Sequence, residues 1–182
     1  MGMDEAHILP GRACGTCTLC CKILGITELA KPKGEWCRHC DVGRGCRIYD
    51  GRPPSCRTFI CGYLGWPGAG EHWFPARSGM LLIGDEHRLI VRVDPSRPGA
   101  WREQPYYDEI KSWAAMAVPE GRTVLVVVDE SSTVVLPDSD VELGLVAEDE
   151  RIVILETPRA AGPQWTALKM KADDPQLARL TG

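Results

Sequence analysis

The chain has 182 residues with 21 Lys and Arg against 25 Asp and Glu, a formal charge of −4, 44% hydrophobic and 25% charged residues. These are ordinary globular proportions for a mass of 20.0 kDa, and they exclude a fibre, a wholly disordered chain and a large multidomain enzyme. The acidic pI near 5.6 argues against nucleic acid as a partner. No apolar run is long enough for a membrane span, and Met1 to Pro10 lacks the basic start and apolar stretch of a secretory signal, so a cytoplasmic protein is expected.

The first feature along the chain is chemical. All nine cysteines lie between Cys14 and Cys61, and the last 121 residues have none. An odd number, no visible secretory signal and a reducing compartment argue against a disulfide framework and for metal ligation. Three C-x-x-C steps, Cys14/Cys17, Cys17/Cys20 and Cys37/Cys40, let a chain turn so that two sulfurs face one ion while backbone amides point at them. Cys46, Cys56 and Cys61 complete the set. The neighbours Cys20 and Cys21 are expected to diverge and serve different centres, so two centres are expected rather than one. Tetrahedral thiolate geometry suits zinc and an iron–sulfur cluster alike. Neither the bacterial ferredoxin run nor zinc-finger spacing is matched, because Cys21 follows Cys20 directly and no later H-x(3–5)-H appears.

Charge follows the cysteines. Residues 10–63 hold nine Lys or Arg against four Asp or Glu, a balance of +5, while residues 64–182 come to −7. Cationic neighbours lower thiol pKa and ease the assembly of thiolates. Arg52 and Arg57 flank Cys56 and are expected to stabilise it from around the bound group, with Pro53-Pro54 stiffening the approach and Tyr49 and Phe59 excluding water. His39, inside a C-x-x-C step, is expected to point away from an ion.

The runs Cys14-x-x-Cys17-x-x-Cys20-Cys21 and Cys46-Arg-Ile-Tyr-Asp-Gly-Arg-Pro-Pro-Ser-Cys56-Arg-Thr-Phe-Ile-Cys61 together resemble the YkgJ-type cysteine-cluster family, described as a zinc- or iron-chelating CxxCxxCC domain. The resemblance spans Cys14 to Cys61. It implies metal or iron–sulfur binding by these cysteines, with Cys37 and Cys40 in the more variable middle of the pattern.

Cys17 to Leu29 has room for a short helix, and the Gly- and Pro-rich stretch 64–79 has the composition of a linker. Met80–Ile83 and Arg88–Val93 form a hairpin pattern across Gly84-Asp85-Glu86-His87. Pro105–Ala117 has Pro at the first position, acids in the first turns and apolar residues three and four apart, which predicts a helix stopped by Pro119 and Gly121. Thr123–Val128, Thr133–Leu136 and Arg151–Leu155 read as strands of one sheet, Trp165–Met170 as a last strand, and Asp174-Pro175 as the start of a short helix. The expected architecture is α+β. A small cysteine-rich metal-binding module (1–63) precedes a linker (64–79) and a small mixed α/β body (80–182) with a mostly antiparallel sheet.

The expected function is a metal-binding protein holding zinc or an iron–sulfur cluster through Cys14, Cys17, Cys20, Cys21, Cys37, Cys40, Cys46, Cys56 and Cys61, with a redox role if the metal is iron. Its substrate or protein partner is not specified by any motif. The rival expectation is a non-enzymatic zinc-stapled module that presents the acidic body to another protein.

Overall fold

The computed structural model describes residues 8–160 and 162–180. Its first third is built from very short elements, as expected where Gly, Pro and Cys interrupt every apolar run. Helix α1 covers Cys20–Ile23, a 3-10 turn follows at Thr27–Leu29, strands β1 (Cys40–Asp41) and β2 (Gly45–Cys46) form a two-residue antiparallel ladder, and α2 spans Pro54–Thr58. Leu19 and Ile23, four residues apart, are both buried, so α1 is fastened to the core by one face.

The stretch with linker composition is structured. Helix α3 (Gly62–Gly65), a 3-10 turn at Glu71–Trp73 and α4 (Pro75–Ser78) succeed one another there. Pro75 opens α4, where its missing N–H is no loss, and Gly79 closes it at φ +73°, which glycine adopts without strain. Trp73 is completely buried, its ring 4.9 Å from both Tyr106 and Trp113. These aromatics join the segment to the core of the body.

The main sheet has five strands in the order β3 (Met80–Gly84), β4 (Arg88–Val93), β5 (Thr123–Val128), β6 (Ser131–Val135), β7 (Asp140–Leu145). All neighbours are antiparallel except β4 and β5, which pair in parallel from Arg88↔Thr123 to Val93↔Val128. A parallel pair needs a crossover, and helix α5 (Tyr106–Ala117) lies on it, burying Tyr106, Ile110, Trp113 and Ala114. The α+β class and the mostly antiparallel sheet follow the sequence expectation. Two details differ. β7 has no counterpart among the predicted strands, its Val-Glu-Leu-Gly-Leu run being short, acidic and broken by Gly144 at φ +64°. The predicted strand at 151–155 does not join the main sheet: β8 (Glu150–Thr157) pairs only with β9 (Gln164–Lys171), in a separate antiparallel hairpin. Ala167 of β9 still reaches the core. Helix α6 (Leu177–Leu180) closes the described chain.

One hydrophobic core runs through both halves: Leu19, Ile23, Ile60 and Tyr63 belong to the same cluster as Leu82, Val91, Ile110 and Val126. Among the described residues, no helix is long and apolar enough to cross a membrane.

Candidate functional site

Local backbone geometry folds the cysteine segment into linked turns. Cys17 N–H donates to Cys14 O (2.8 Å) and Cys40 N–H to Cys37 O (2.9 Å), so each of these C-x-x-C steps closes on itself. Cys37 N–H also donates to Cys21 O (2.9 Å), which brings the third step against α1. Cys40 and Cys46 are direct partners in the β1–β2 ladder. Cys56 sits on α2, and Cys61 is the residue capping α3.

The result is a common cysteine neighbourhood. A cavity of about 120 Å³ is lined by Cys14, Cys17, Cys20, Cys21, Cys37, Cys46 and Cys56, and a second of about 60 Å³ by Cys14, Cys17, Cys20, Cys56 and Cys61. Four cysteines therefore face both cavities, while Cys21, Cys37 and Cys46 face only the larger and Cys61 only the smaller. Cys40 lines neither but joins through Cys21. Cys37 and Cys61 are buried, Cys14 is exposed, the other six are half-buried, and all nine are free thiols.

The adjacent pair does not diverge as expected. The Cys21 thiol is flanked by those of Cys20 and Cys40, with the Thr18 side chain next to Cys40. Leu19 and Ile23 hold the opposite face of this single helical turn in the core, so both thiols are turned into the module together.

Electrostatics in the module is governed by burial. The Cys21 thiol is held far above its ordinary pKa, first by its bond to Cys20 and then by burial, and burial pushes Cys40 and Cys61 up to about 11. Burial also raises Cys14, Cys17 and Cys56. Groups that favour thiolate work against this. Backbone N–H groups of Leu19 and Ala76 point at the Cys17 sulfur, those of Leu64 and Tyr63 at Cys61, and the Ser55 hydroxyl at Cys56.

Arg52 lines both cavities, and its charge bears on Cys14. Its guanidinium stacks 3.6 Å from the centre of the exposed Tyr49 ring. Arg57 is exposed on α2 and lines neither cavity. Phe59 lines both and closes them from the core side. His39 lines the larger cavity, with Nε2 accepting from Arg38 Nε at 3.2 Å.

Sequence patterning passed over Lys31. This residue is 8% exposed, and its ammonium donates to Lys22 O (2.9 Å), Pro32 O (3.0 Å) and Leu24 O, using all three donors on carbonyls. Burial depresses its pKa, opposed by the facing thiols of Cys37, Cys21 and Cys20. A cation thus sits behind α1, where thiolates would need one. A lone lysine in a loop carries no periodic signal that would reveal this.

The site suits a thiophilic group in donor type, in number and in its amide N–H groups aimed at sulfur. It is not a finished ligand set: among the described residues, no three Cys, His, Asp or Glu side chains stand together so as to hold an ion. No family model matches the chain, and neither a curated protein nor a solved structure matches it.

Proposed function

We infer that the cysteine module binds a thiophilic metal centre, either zinc or an iron–sulfur cluster, as the resemblance to the YkgJ-type family also implies. The observation that carries this is the pair of adjoining cavities that eight of the nine cysteines line between them.

Cys14, Cys17, Cys20 and Cys56, which face both cavities, would hold the group together with Cys21, Cys37 and Cys46 on one side and Cys61 on the other. Arg52 and Lys31 offset the accumulated thiolate charge, and Phe59 keeps water from the core side. An iron–sulfur cluster supplies one-electron chemistry, whereas zinc supplies a structural crosslink or a Lewis acid. A structural role for zinc is favoured by the brevity of α1, α2, β1 and β2, which have little hydrogen-bonded structure of their own.

The test is metal, acid-labile sulfide and visible absorbance per chain on protein purified without oxygen. Iron with matching sulfide and a charge-transfer band identifies a cluster and calls for a redox titration. Stoichiometric zinc without colour identifies the structural centre. Protein that carries no metal and takes up neither on reconstitution overturns the proposal.

A further inference from the structure

A cavity larger than those of the cysteine site lies elsewhere in the fold. It has a volume of about 460 Å³, within the range of small-molecule pockets, and opens between α3, the end of α5 and one end of the β3–β4–β5 sheet. Its inner wall is apolar, formed by the Trp66 and Trp113 indoles with Leu82, Leu89 and Val124. The two indole centroids are 4.7 Å apart with planes inclined at 58°, so the rings brace one another at the edge of the space.

Trp66 is held in place without a ligand. Arg12 reaches across more than fifty residues of sequence to donate to the carbonyls of Tyr63 (2.5 Å), Trp66 (3.1 Å) and Ala69 (2.6 Å), clasping the loop that presents the indole. Gly68 lies directly beneath the ring, where a Cβ would come within 2.7 Å of it, so only glycine lets the indole lie down on the chain. A wall fixed in this way costs little further ordering when something binds against it.

The mouth is polar and has donors to spare. Arg88 uses Nε on Asp85 Oδ2 (3.0 Å), and Arg122 uses one Nη on Glu120. Asp85 is committed to its own turn, accepting as well from the backbone of His87 and Arg88. The remaining guanidinium N–H groups of Arg88 and Arg122 have no partner among the described residues. Each arginine has a carboxylate beside it, so the mouth is balanced in charge yet rich in donors.

We propose that this cavity binds a planar aromatic small molecule bearing an oxygen acceptor, its ring against Trp66 and Trp113 and its oxygen at Arg88 and Arg122. Two indoles in an apolar lining favour an aromatic ring, and unused N–H donors favour a carbonyl or carboxylate. The inference does not depend on the proposed metal centre, since no cysteine lines this cavity.

The experiment uses the full chain and follows the tryptophan indole N–H resonances by NMR during titration with naphthoate, acetylnaphthalene, unsubstituted naphthalene and decanoate. Saturable one-to-one binding of naphthoate that shifts the Trp66 and Trp113 signals is expected. Binding of acetylnaphthalene as well assigns the acceptor as a carbonyl, and binding of naphthoate alone as a carboxylate. Trp66→Leu should weaken naphthoate about tenfold. Met116→Trp, at a cavity-lining position on α5 that is 59% exposed and so tolerant of bulk, should block the space while leaving the thermal midpoint unchanged. Equal affinity for decanoate or bare naphthalene, unmoved indole signals, or undiminished binding in Met116→Trp would each overturn the proposal.

Discussion

Lys22 Nζ lies 2.6 Å from Asp94 Oδ1, and this ion pair joins the helix that carries Cys20 and Cys21 to the end of strand β4. Ser96 accepts from the same ammonium (3.1 Å), and the Trp36 ring lies 5.7 Å from it. The two side chains are only 16% and 12% exposed, so removing either charge leaves the other partly buried and unpaired. Lys22→Met should lower stability by about 2 kcal/mol, below the figure for a fully buried pair because some solvent remains. Urea unfolding of the variant measures it, and a midpoint equal to wild type would mean that the pair contributes nothing.

The same contact gives a pH dependence with a definite sign. Burial would raise the Asp94 pKa, but hydrogen bonds from Lys22 and Ser96 outweigh it and hold the carboxyl below its ordinary value. A group depressed in the folded state stabilises fully above its unfolded pKa, and that contribution disappears as pH falls through the folded one. The stability gap between wild type and Asp94→Asn should therefore be flat near neutrality and shrink only below about pH 4. A gap that closes between pH 6 and 8 would assign the effect to another group.

Lys31→Met strips three donors from carbonyls around the end of α1. The expected loss is about 3 kcal/mol, since charge-assisted bonds to buried carbonyls are replaced by nothing. Native-state hydrogen exchange gives the local signature: the Leu24 amide, bonded to Cys20 O at 3.1 Å, should lose protection before the amides of β5 do. Uniform loss across the sheet would point to a global role instead.

Cysteines that face both cavities should matter more than those that face one. Cys20→Ser is expected to reduce metal per chain further than either Cys46→Ser or Cys61→Ser. Anaerobic metal analysis of the three variants checks this, and equal losses would contradict a shared position for Cys20.

Gly62 is a packing requirement. A Cβ at this position would stand 2.7 Å from Leu82 Cβ and 3.2 Å from Leu82 O, where α3 is pressed against β3. Gly62→Ala should cost about 1–3 kcal/mol by overpacking, read from the thermal midpoint. An unchanged midpoint would show that α3 can lift away freely.

Much of the body was legible in the sequence because its elements are long enough to have a period. The hairpin of β3 and β4, helix α5 with Tyr106, Ile110 and Trp113 on its inner face, and the Val-rich strand β5 all follow from spacing. β7 was missed because Gly144 and its acids dilute the alternation, and β8 was assigned to the wrong sheet because strand pairing is a long-range choice that no local pattern encodes.

By itself the sequence determined the number of the cysteines and their confinement to residues 14–61, since residue type and local spacing are covalent facts. Only the tertiary structure decided which cysteines line the same space. The turns at Cys14–Cys17 and Cys37–Cys40, the anchoring of α1 through Leu19 and Ile23, and the buried Lys31 turn Cys20 and Cys21 the same way despite their adjacency. The segment of linker composition likewise became structured and lines the cavity of about 460 Å³, because its indoles at Trp66 and Trp73 pack against Trp113.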